Sequence, residues 1–387
     1  MRLLRKHFIA KRRFQLLPNL KICSLLKNKE NLSATKKVKE IGAYAKKSNS
    51  HQYKNLLFYV IIIQMKKGSP FYPTEIIFSV TDFCNLNCAH CWSHKEKNSL
   101  DAEKAILFLE KCSGTAIDTI GFTGGEPFLA MDFIERVSKA AVERDLLFDR
   151  IITNGVWWKN EDELCKTLNR LYESGFDGKI AISFDSFHNQ SVEKITTFCK
   201  TASGIFKSDR IIEIQSVVNN RGEKGVEEDF LKKLHELAIH LDCSFDAVLS
   251  KKTGTGKIVL KGENFFITID RTPQVLESTN PNSWKARQWF SDDFCKSLGN
   301  ILFVHPDGKI APCCGFTNDE KGIIIGNIEN SFAQIMENAR KNAMINISFE
   351  TGLLNEVKKM HKKIALPGKT ENPCTLCQFL CRKNDEL

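Results

Sequence analysis

The chain has 387 residues, and its hydrophobic content of 42% is enough for one large domain or two ordinary ones. Its 14 cysteines are many, but the chain is neither short nor evenly spaced in cysteine, which excludes a small secreted disulfide scaffold. We therefore expect a cytoplasmic protein that uses cysteine for metal. The net charge of +10 is unevenly distributed: residues 1–64 carry 15 Lys and Arg against two Glu, whereas 65–387 carry 41 against 44 acidic residues.

The basic character belongs to an N-terminal extension, residues 1–67, which we expect to be disordered or to be upstream sequence before a start at Met65. Such an extension could touch nucleic acid or anionic lipid. The net charge of the body argues against a nucleic-acid binder, whose binding domain should itself be basic. The apolar run Leu56 to Ile63 is far shorter than the roughly 20 residues of a spanning helix, so we expect no membrane span.

From Phe71 to about Ser250, strand-like runs alternate with amphipathic stretches whose apolar residues recur every three or four positions. Ser99 is the predicted N-cap of the first helix. Alternating βα units predict a parallel sheet covered by helices, and six units favour an open or partial barrel. The predicted strands are 75–81, 119–123, 148–153, 179–185, 211–218 and 244–249, and the predicted helices are 100–112, 130–144, 160–174, 189–202 and 227–240.

Polar motifs follow the predicted strands at their carboxyl ends, where parallel sheets bind ligands. This convergence predicts one site at that edge of the sheet. The motifs, in strand order, are Cys84–Cys91, Gly124–Pro127, Asn154–Gly155, Ser183 with Asp185, and Asn219–Asn220. We interpret His188, just after the fourth motif, as a helix-entry or packing residue.

The βα rhythm stops near residue 255, which predicts a first domain over 68–255 and a smaller α+β domain over 256–387. Residues 257–270 resemble one strand. Residues 300–312 predict a hairpin, because Asp307-Gly308 between apolar runs is a strong turn signal. A helix is predicted over 330–345.

Cys84, Cys88 and Cys91 stand at the spacing CxxxCxxC in a loop after the first predicted strand. Three thiolates can hold three irons of a [4Fe–4S] cluster, and a fully protein-bound cluster uses four. One iron would therefore stay open for chemistry. The alternative is a zinc site with His90 or His94 as the fourth ligand.

A second set of cysteines lies near the C-terminus, where Cys295 and Cys313 flank the predicted hairpin. The turn brings the two hairpin ends together, and Cys374 and Cys377 could complete a four-cysteine site. Zinc is the alternative here too.

The CxxxCxxC loop, followed one unit later by Gly-Gly-Glu-Pro and then by Asn-Gly and Ser-x-Asp strand ends, resembles the radical S-adenosylmethionine (radical SAM) superfamily. The C-terminal cysteines resemble its SPASM and twitch subgroup. The resemblance implies a partial (βα)6 barrel followed by a small α+β auxiliary iron–sulfur domain. The spacing of the C-terminal cysteines departs from the full SPASM pattern. This departure implies one auxiliary cluster, with a second possible, and Cys314 and Cys381 as spare or alternative ligands.

The resemblance also assigns roles to individual residues. The loop cysteines would hold a [4Fe–4S] cluster whose open iron binds SAM, and His90 occupies a position that usually holds an aromatic residue. For the strand-end motifs, ordinary turn formation and capping remain the alternative. The implied metal ligands are Cys84, Cys88, Cys91, Cys295, Cys313, Cys374, Cys377 and Cys381, and the implied SAM contacts are His90, Gly124, Gly125, Glu126, Pro127, Asn154, Ser183 and Asp185.

The implied function is reductive cleavage of SAM to a 5′-deoxyadenosyl radical that abstracts hydrogen from a peptide or small-molecule substrate. A flavodoxin- or ferredoxin-like protein would supply electrons. The alternative is a non-enzymatic iron–sulfur protein for electron transfer or sensing. The Gly-Gly-Glu-Pro turn favours the enzyme, because an electron carrier has no need to hold SAM.

Overall fold

A computed structural model describes residues 71–91, 98–219, 225–251, 253–291, 293–295, 299–313, 320–360 and 365–384. By internal contacts the chain divides into two units, Met1–Ser69 and Pro70–Leu387. Several predictions fall outside the described residues, namely those for the N-terminal extension 1–67 and for His94, Asn220 and Cys314.

The described residues form eleven strands and nine α-helices. The strands are β1 Glu75–Ser79, β2 Thr119–Thr123, β3 Leu147–Thr153, β4 Lys179–Ser183, β5 Ile212–Val218, β6 Ser244–Leu249, β7 Gly256–Lys261, β8 Phe266–Pro273, β9 Gly299–Val304, β10 Lys309–Cys313 and β11 Gly326–Asn327. The helices are α1 Ala102–Lys111, α2 Met131–Glu143, α3 Glu161–Glu173, α4 Val192–Phe206, α5 Val226–His240, α6 Phe332–Lys341, α7 Ala343–Ile345, α8 Leu353–Met360 and α9 Pro373–Asn384.

All eleven strands belong to one sheet, in the order β11-β10-β9-β1-β2-β3-β4-β5-β8-β7-β6. The seven central strands, from β9 to β8, are parallel to one another. The outer strands β10 and β7 pair antiparallel with β9 and β8, and β11 and β6 in turn pair antiparallel with β10 and β7. The predicted α/β class with a parallel sheet is therefore confirmed. The predicted hairpin is also confirmed as β9 and β10, and its Gly308 has a φ of +85°, a conformation that favours glycine.

The sixth parallel βα strand is not where the chain order suggests. Strand β8 pairs with β5, while β6 (residues 244–249) lies at the edge of the sheet. The single strand predicted over 257–270 was wrong: it is the β7–β8 hairpin, closed by a hydrogen bond from Gly262 N to Phe265 O of 2.9 Å. Alternate residues of β8 are fully buried whereas β6 is largely exposed, so β8 suits the interior position better.

The first helix starts two residues later than predicted, at Ala102. Its N-cap is Asp101, whose side chain accepts a hydrogen bond from Lys104 N, and not Ser99. The Ser99 hydroxyl instead lies 2.7 Å from that of Thr81, where it ties the helix entry to the loop after β1.

The core lies between the sheet and its helices. Ile76 and Phe78 of β1 are fully buried and share one apolar cluster with Phe108 of α1. A second cluster forms around α9, with Leu376 at its centre. The domain boundary at residue 255 stays a prediction, and strands from both predicted domains share the sheet.

Within the described part of the chain, no helix has the combined length and apolar character that crossing a bilayer requires.

Candidate functional site

The loop after β1 opens onto a cleft at the carboxyl edge of the parallel strands. All three loop cysteines line this cleft: Cys84 and Cys88 are half-buried and Cys91 is exposed. The predicted convergence of strand-end motifs is thus seen in the lining. The other lining residues are Asp82, Leu86, His90, Thr123, Gly124, Gly125, Ile152, Thr153, Asn154, Ser183 and His188.

The two glycines after β2 let that turn lie directly against the start of the cysteine loop. Gly125 N donates to Thr81 O at 2.6 Å, and Glu126 N donates to Phe83 O at 2.7 Å. A Cβ on Gly125 would lie 2.3 Å from Phe83 O, and Gly124 has a φ of +147°. The glycines therefore fix the cysteine loop as well as lining the cleft.

Glu126 is fully buried and lies behind the cleft lining. Its carboxylate accepts hydrogen bonds from Phe128 N at 3.2 Å, Thr153 Oγ1 at 2.8 Å and Asn154 N at 2.8 Å. Burial raises the pKa of Glu126 to about 7, although these hydrogen bonds favour the ionised form. This side chain joins the ends of β2 and β3. Its role toward SAM stays a prediction, as does that of Pro127.

Asn154 links the end of β3 to the cysteine loop. Its Nδ2 donates to Asn85 Oδ1 at 2.8 Å and lies 3.8 Å from Cys84 Sγ, while its Oδ1 accepts from Val156 N at 2.9 Å. Asn154 therefore caps its own turn and also supports one cysteine. The turn-capping alternative describes its bond to Val156 N, and its role toward SAM stays a prediction.

Gln190 was missed by the sequence reasoning. Its buried amide donates to Asn154 O at 2.7 Å and to Ser183 O at 2.6 Å, so it fixes the ends of β3 and β4 against each other. Only the three-dimensional meeting of two strand ends reveals this role, because a glutamine beyond a strand carries no sequence signal.

Asp185 is buried, and the structure directs it to its own turn. Its Oδ1 accepts from Phe187 N at 2.9 Å and from His188 N at 3.2 Å, and its Oδ2 accepts from Val217 N at 3.3 Å. These bonds and the neighbouring His188 hold the pKa of Asp185 below its usual range despite burial. The turn-capping alternative describes these contacts.

His188 lines the cleft, so its interpretation as a packing residue was incomplete. Its Nδ1 lies 2.8 Å from Asp185 Oδ1. Burial opposes the charged ring, but hydrogen bonds with Asp185 and Cys88 raise the pKa of His188 to about 9. The His90 ring lies 5.0 Å from that of His188 and 4.4 Å from that of Phe187.

The donor set of the loop fits an iron–sulfur cluster. Three thiols face one cleft, and Cys84 Sγ already accepts a hydrogen bond from Leu86 N at 3.4 Å. Soft thiolates suit iron–sulfur clusters. A closed zinc site, with Zn–S bonds of about 2.3 Å, needs its ligands close together. Among the described residues, the one set of three ligands within 4.8 Å is His90, Asp185 and His188, not the loop thiols.

The C-terminal cysteines come together from distant segments. Ser348 connects two of them, since Cys295 N donates to Ser348 O at 2.8 Å and Ser348 Oγ lies 3.5 Å from Cys377 Sγ. Cys313 ends β10 opposite Gly299, four residues after Cys295. Cys374, one turn before Cys377 on α9, has its amide bound to Asn372 Oδ1 at 2.8 Å.

Cys381 differs from the other C-terminal cysteines. It is fully buried in the apolar cluster around α9, whereas Cys374 and Cys377 are only partly buried. A hydrogen bond between the Cys377 and Cys381 thiols, together with burial, raises the pKa of the Cys377 thiol well above its ordinary value. Cys381 therefore packs within this cluster, and its role as a metal ligand stays a prediction.

Two protein-family models match this chain, one over the cysteine loop and one over the C-terminal cysteines. The radical SAM superfamily model matches residues 78–203, and a model of an iron–sulfur cluster-binding domain, SPASM, matches residues 295–378. The chain therefore contains a radical SAM domain and a SPASM domain. The two matches imply a [4Fe–4S] cluster with SAM in the first region and auxiliary iron–sulfur clusters in the second.

Individual relatives are similar over part of their length. A probable GTP 3′,8-cyclase of Methanocella arvoryzae is 29% identical over 168 residues, covering 42% of this chain and 52% of that protein. A GTP 3′,8-cyclase of Listeria welshimeri is 31% identical over 171 residues, covering 41% and 49%. The chain thus spans about half the length of these curated relatives.

Solved structures are similar at low sequence identity. The structure of anSMEcpe with bound AdoMet has a TM-score of 0.46 at 15% identity, covering 81% of this chain and 97% of that one. Streptococcus suis SuiB bound to S-adenosylmethionine has a TM-score of 0.42 at 14% identity, covering 89% and 88%.

Proposed function

We propose that this protein is a radical SAM enzyme that modifies a peptide or protein. Cys84, Cys88 and Cys91 would hold a [4Fe–4S] cluster, and the chemistry it would supply is one-electron cleavage of SAM to methionine and a 5′-deoxyadenosyl radical for hydrogen abstraction from the substrate. The observation that carries the proposal is the single cleft shared by the three thiols and the strand-end residues Gly124, Gly125, Asn154 and Ser183.

The residues of the chain would bind and orient SAM in this cleft. Gly124 and Gly125 line the cleft, where the backbone of their turn could bind the polar groups of SAM. The Ser183 hydroxyl and the Asn154 amide lie at neighbouring strand ends, where they could hydrogen-bond ribose or carboxylate oxygens. His90, Glu126, Pro127 and Asp185 complete the proposed set of contacts, with Glu126 and Asp185 acting from behind the lining.

A peptide fits this cleft better than a nucleoside triphosphate, the substrate class that the names of the curated relatives point to. Phosphate recognition depends on Arg, Lys or metal ions. Among the described residues that line the cleft, none is Lys or Arg. The substrate would enter between the cleft and the C-terminal cysteine region.

We propose that the auxiliary cluster is held by Cys295, Cys313, Cys374 and Cys377, with Cys381 as an alternative ligand. Ser348, which contacts both Cys295 and Cys377, supports this grouping. A flavodoxin- or ferredoxin-like protein would deliver electrons. The twelve cysteines among the described residues are all free thiols, which supports a reducing, cytoplasmic location.

The test is anaerobic reconstitution of the full chain, followed by incubation with SAM and dithionite. We expect about eight irons per chain, as for two four-iron clusters, and formation of 5′-deoxyadenosine. The Cys84/Cys88/Cys91→Ala triple variant should keep about four irons and form no 5′-deoxyadenosine. Bound iron without SAM cleavage in the wild type would favour the electron-transfer alternative, and bound zinc would contradict both.

The substrate class is tested in the same assay. A peptide substrate should raise the rate of 5′-deoxyadenosine formation, whereas GTP should leave it unchanged. Stimulation by GTP would contradict the peptide proposal while leaving the radical SAM assignment intact.

A further inference from the structure

The turn after β4 contains a buried carboxylate–imidazole pair. Asp185 is 2% exposed, and the side chain of His188 is 12% exposed. Asp185 is fixed by β5 through the hydrogen bond from Val217 N, and it fixes the imidazole in turn through His188 Nδ1 at 2.8 Å. The imidazole orientation is therefore set by the sheet itself.

This oriented ring contacts the cysteine loop at its second cysteine. His188 lines the same cleft as Cys88, and the interaction of its ring with the Cys88 thiol helps to raise the pKa of His188. Because Nδ1 faces Asp185, Nε2 is the ring nitrogen left for the sulfur. The His90 ring, between Cys88 and Cys91 in sequence, lies 5.0 Å from that of His188.

The first and second loop cysteines are supported differently. The sulfur of Cys84 accepts a hydrogen bond from the backbone of its own loop, at Leu86 N. Cys88 lies in the same cleft as a side chain from another βα unit, His188. Cys84 is also approached by a side chain from another βα unit, Asn154, whose Nδ2 lies 3.8 Å from its sulfur.

We infer that His188, oriented by Asp185, is a positioning residue whose hydrogen bond to the Cys88 sulfur raises the reduction potential of the loop cluster. Hydrogen bonds to ligating sulfurs are among the main determinants of iron–sulfur potentials. Partners of metal ligands are commonly held in turn by carboxylates, as His188 is held here. The inference rests on the proposed function, because it requires a cluster on Cys88.

The competing explanation is a separate metal ion bound by His90, Asp185 and His188, whose ligand atoms lie within 4.8 Å of one another. The hydrogen bonds of Asp185 argue against it. Oδ1 accepts two backbone N–H groups and faces the imidazole, and Oδ2 accepts a third N–H. A metal ion would have to break this turn to use the carboxylate.

The test is a redox titration of the reconstituted full chain. The titration is monitored through the EPR signal that changes when SAM is added. We expect His188→Phe, which keeps a ring beside His90, to shift this signal to a more negative midpoint potential with iron content unchanged. His188→Gln should recover part of the shift, because its amide nitrogen lies near the position of Nε2. The matched control is His235→Phe, at a histidine that stacks on Phe245 far along the chain, which should cause no shift.

An unchanged potential in His188→Phe, or equal shifts in the Phe and Gln variants, would overturn the inference in favour of packing. If the His188→Phe variant holds no iron, the midpoint potentials of His188→Gln and Asp185→Asn are compared with that of the wild type. Wild-type potentials in both variants would overturn the inference. A metal beyond the cluster irons that is lost in His188→Phe would establish the competing site. Failure of the proposed function looks different, since the wild type itself would then give no SAM-dependent signal.

Discussion

The two cysteine sets of this molecule reach their positions in different ways. Cys84, Cys88 and Cys91 lie within one short loop, which backbone hydrogen bonds tie to the turn after β2. The C-terminal set comes from segments distant in sequence, and Ser348 contacts two of its members, Cys295 and Cys377. The first arrangement depends on one neighbouring turn, whereas the second depends on the packing of the whole C-terminal region.

The difference also appears in how each set is buried. The loop thiols face an open cleft at the edge of the sheet, where a small molecule can approach. The C-terminal thiols lie against two apolar clusters, with Cys295 beside the main core and Cys377 beside the cluster of α9. We infer that substitutions near the loop act locally on one cluster, while substitutions in the C-terminal region act through stability as well.

The largest expected effect comes from Gly125→Ala. Its Cβ would lie 2.3 Å from Phe83 O, so the cysteine loop must move. We expect a loss of more than about 3 kcal/mol in the free energy of unfolding and loss of the loop iron, with the auxiliary iron retained. The control is Gly204→Ala in α4, where nothing lies within 4 Å and alanine should stabilise the helix by about 1 kcal/mol. Iron counts that fall equally at both clusters would contradict the local dependence.

Glu126→Gln tests the link between the ends of β2 and β3. The wild-type Glu126 carboxylate accepts a hydrogen bond from Asn154 N. In the Gln variant the side-chain amide would place a second donor against this N–H group, which would lower the free energy of unfolding by about 1–3 kcal/mol. Burial raises the pKa of Glu126 from 4.5 to about 7 in the folded protein. The protonated side chain therefore adds to the free energy of unfolding in full below pH 4.5, and this gain is lost as pH rises through 7. Urea unfolding of the apo protein should therefore show a wild-type advantage at pH 5 that narrows by pH 8. The exposed Glu337→Gln is the control, and a pH-independent difference would refute the titration.

Cys377→Ala and Cys381→Ala separate a proposed ligand from a buried neighbour. The Cys377 variant should lose the auxiliary iron, while the Cys381 variant should keep it and lose about 1–2 kcal/mol of stability through a small cavity. Cys199→Ala, at a fully buried cysteine of the main core, is the control for that cost. Iron loss in Cys381→Ala would make Cys381 a ligand.

The sequence located the local features well. The cysteine loop and each strand-end motif are short stretches of consecutive residues. The cleft that they line could therefore be predicted from the sequence. Gln190 was missed, because it acts by bridging two βα units, which no spacing encodes. The place of β8 beside β5 was also missed, since strand order depends on which strand offers the more buried face.

The smallest expected effect is that of Ser348→Ala. The substitution keeps the backbone oxygen that accepts from Cys295 N but removes the hydroxyl 3.5 Å from Cys377 Sγ. We expect a loss of about 1 kcal/mol or less and a few-fold faster release of the auxiliary iron to a chelator, with the loop iron unaffected. Ser138→Ala is the matched control, because Ser138 is fully buried and its hydroxyl has no hydrogen-bond partner among the described residues. If both variants release iron at the wild-type rate, the Ser348 hydroxyl does not support Cys377, and the backbone of Ser348 alone joins the two cysteines.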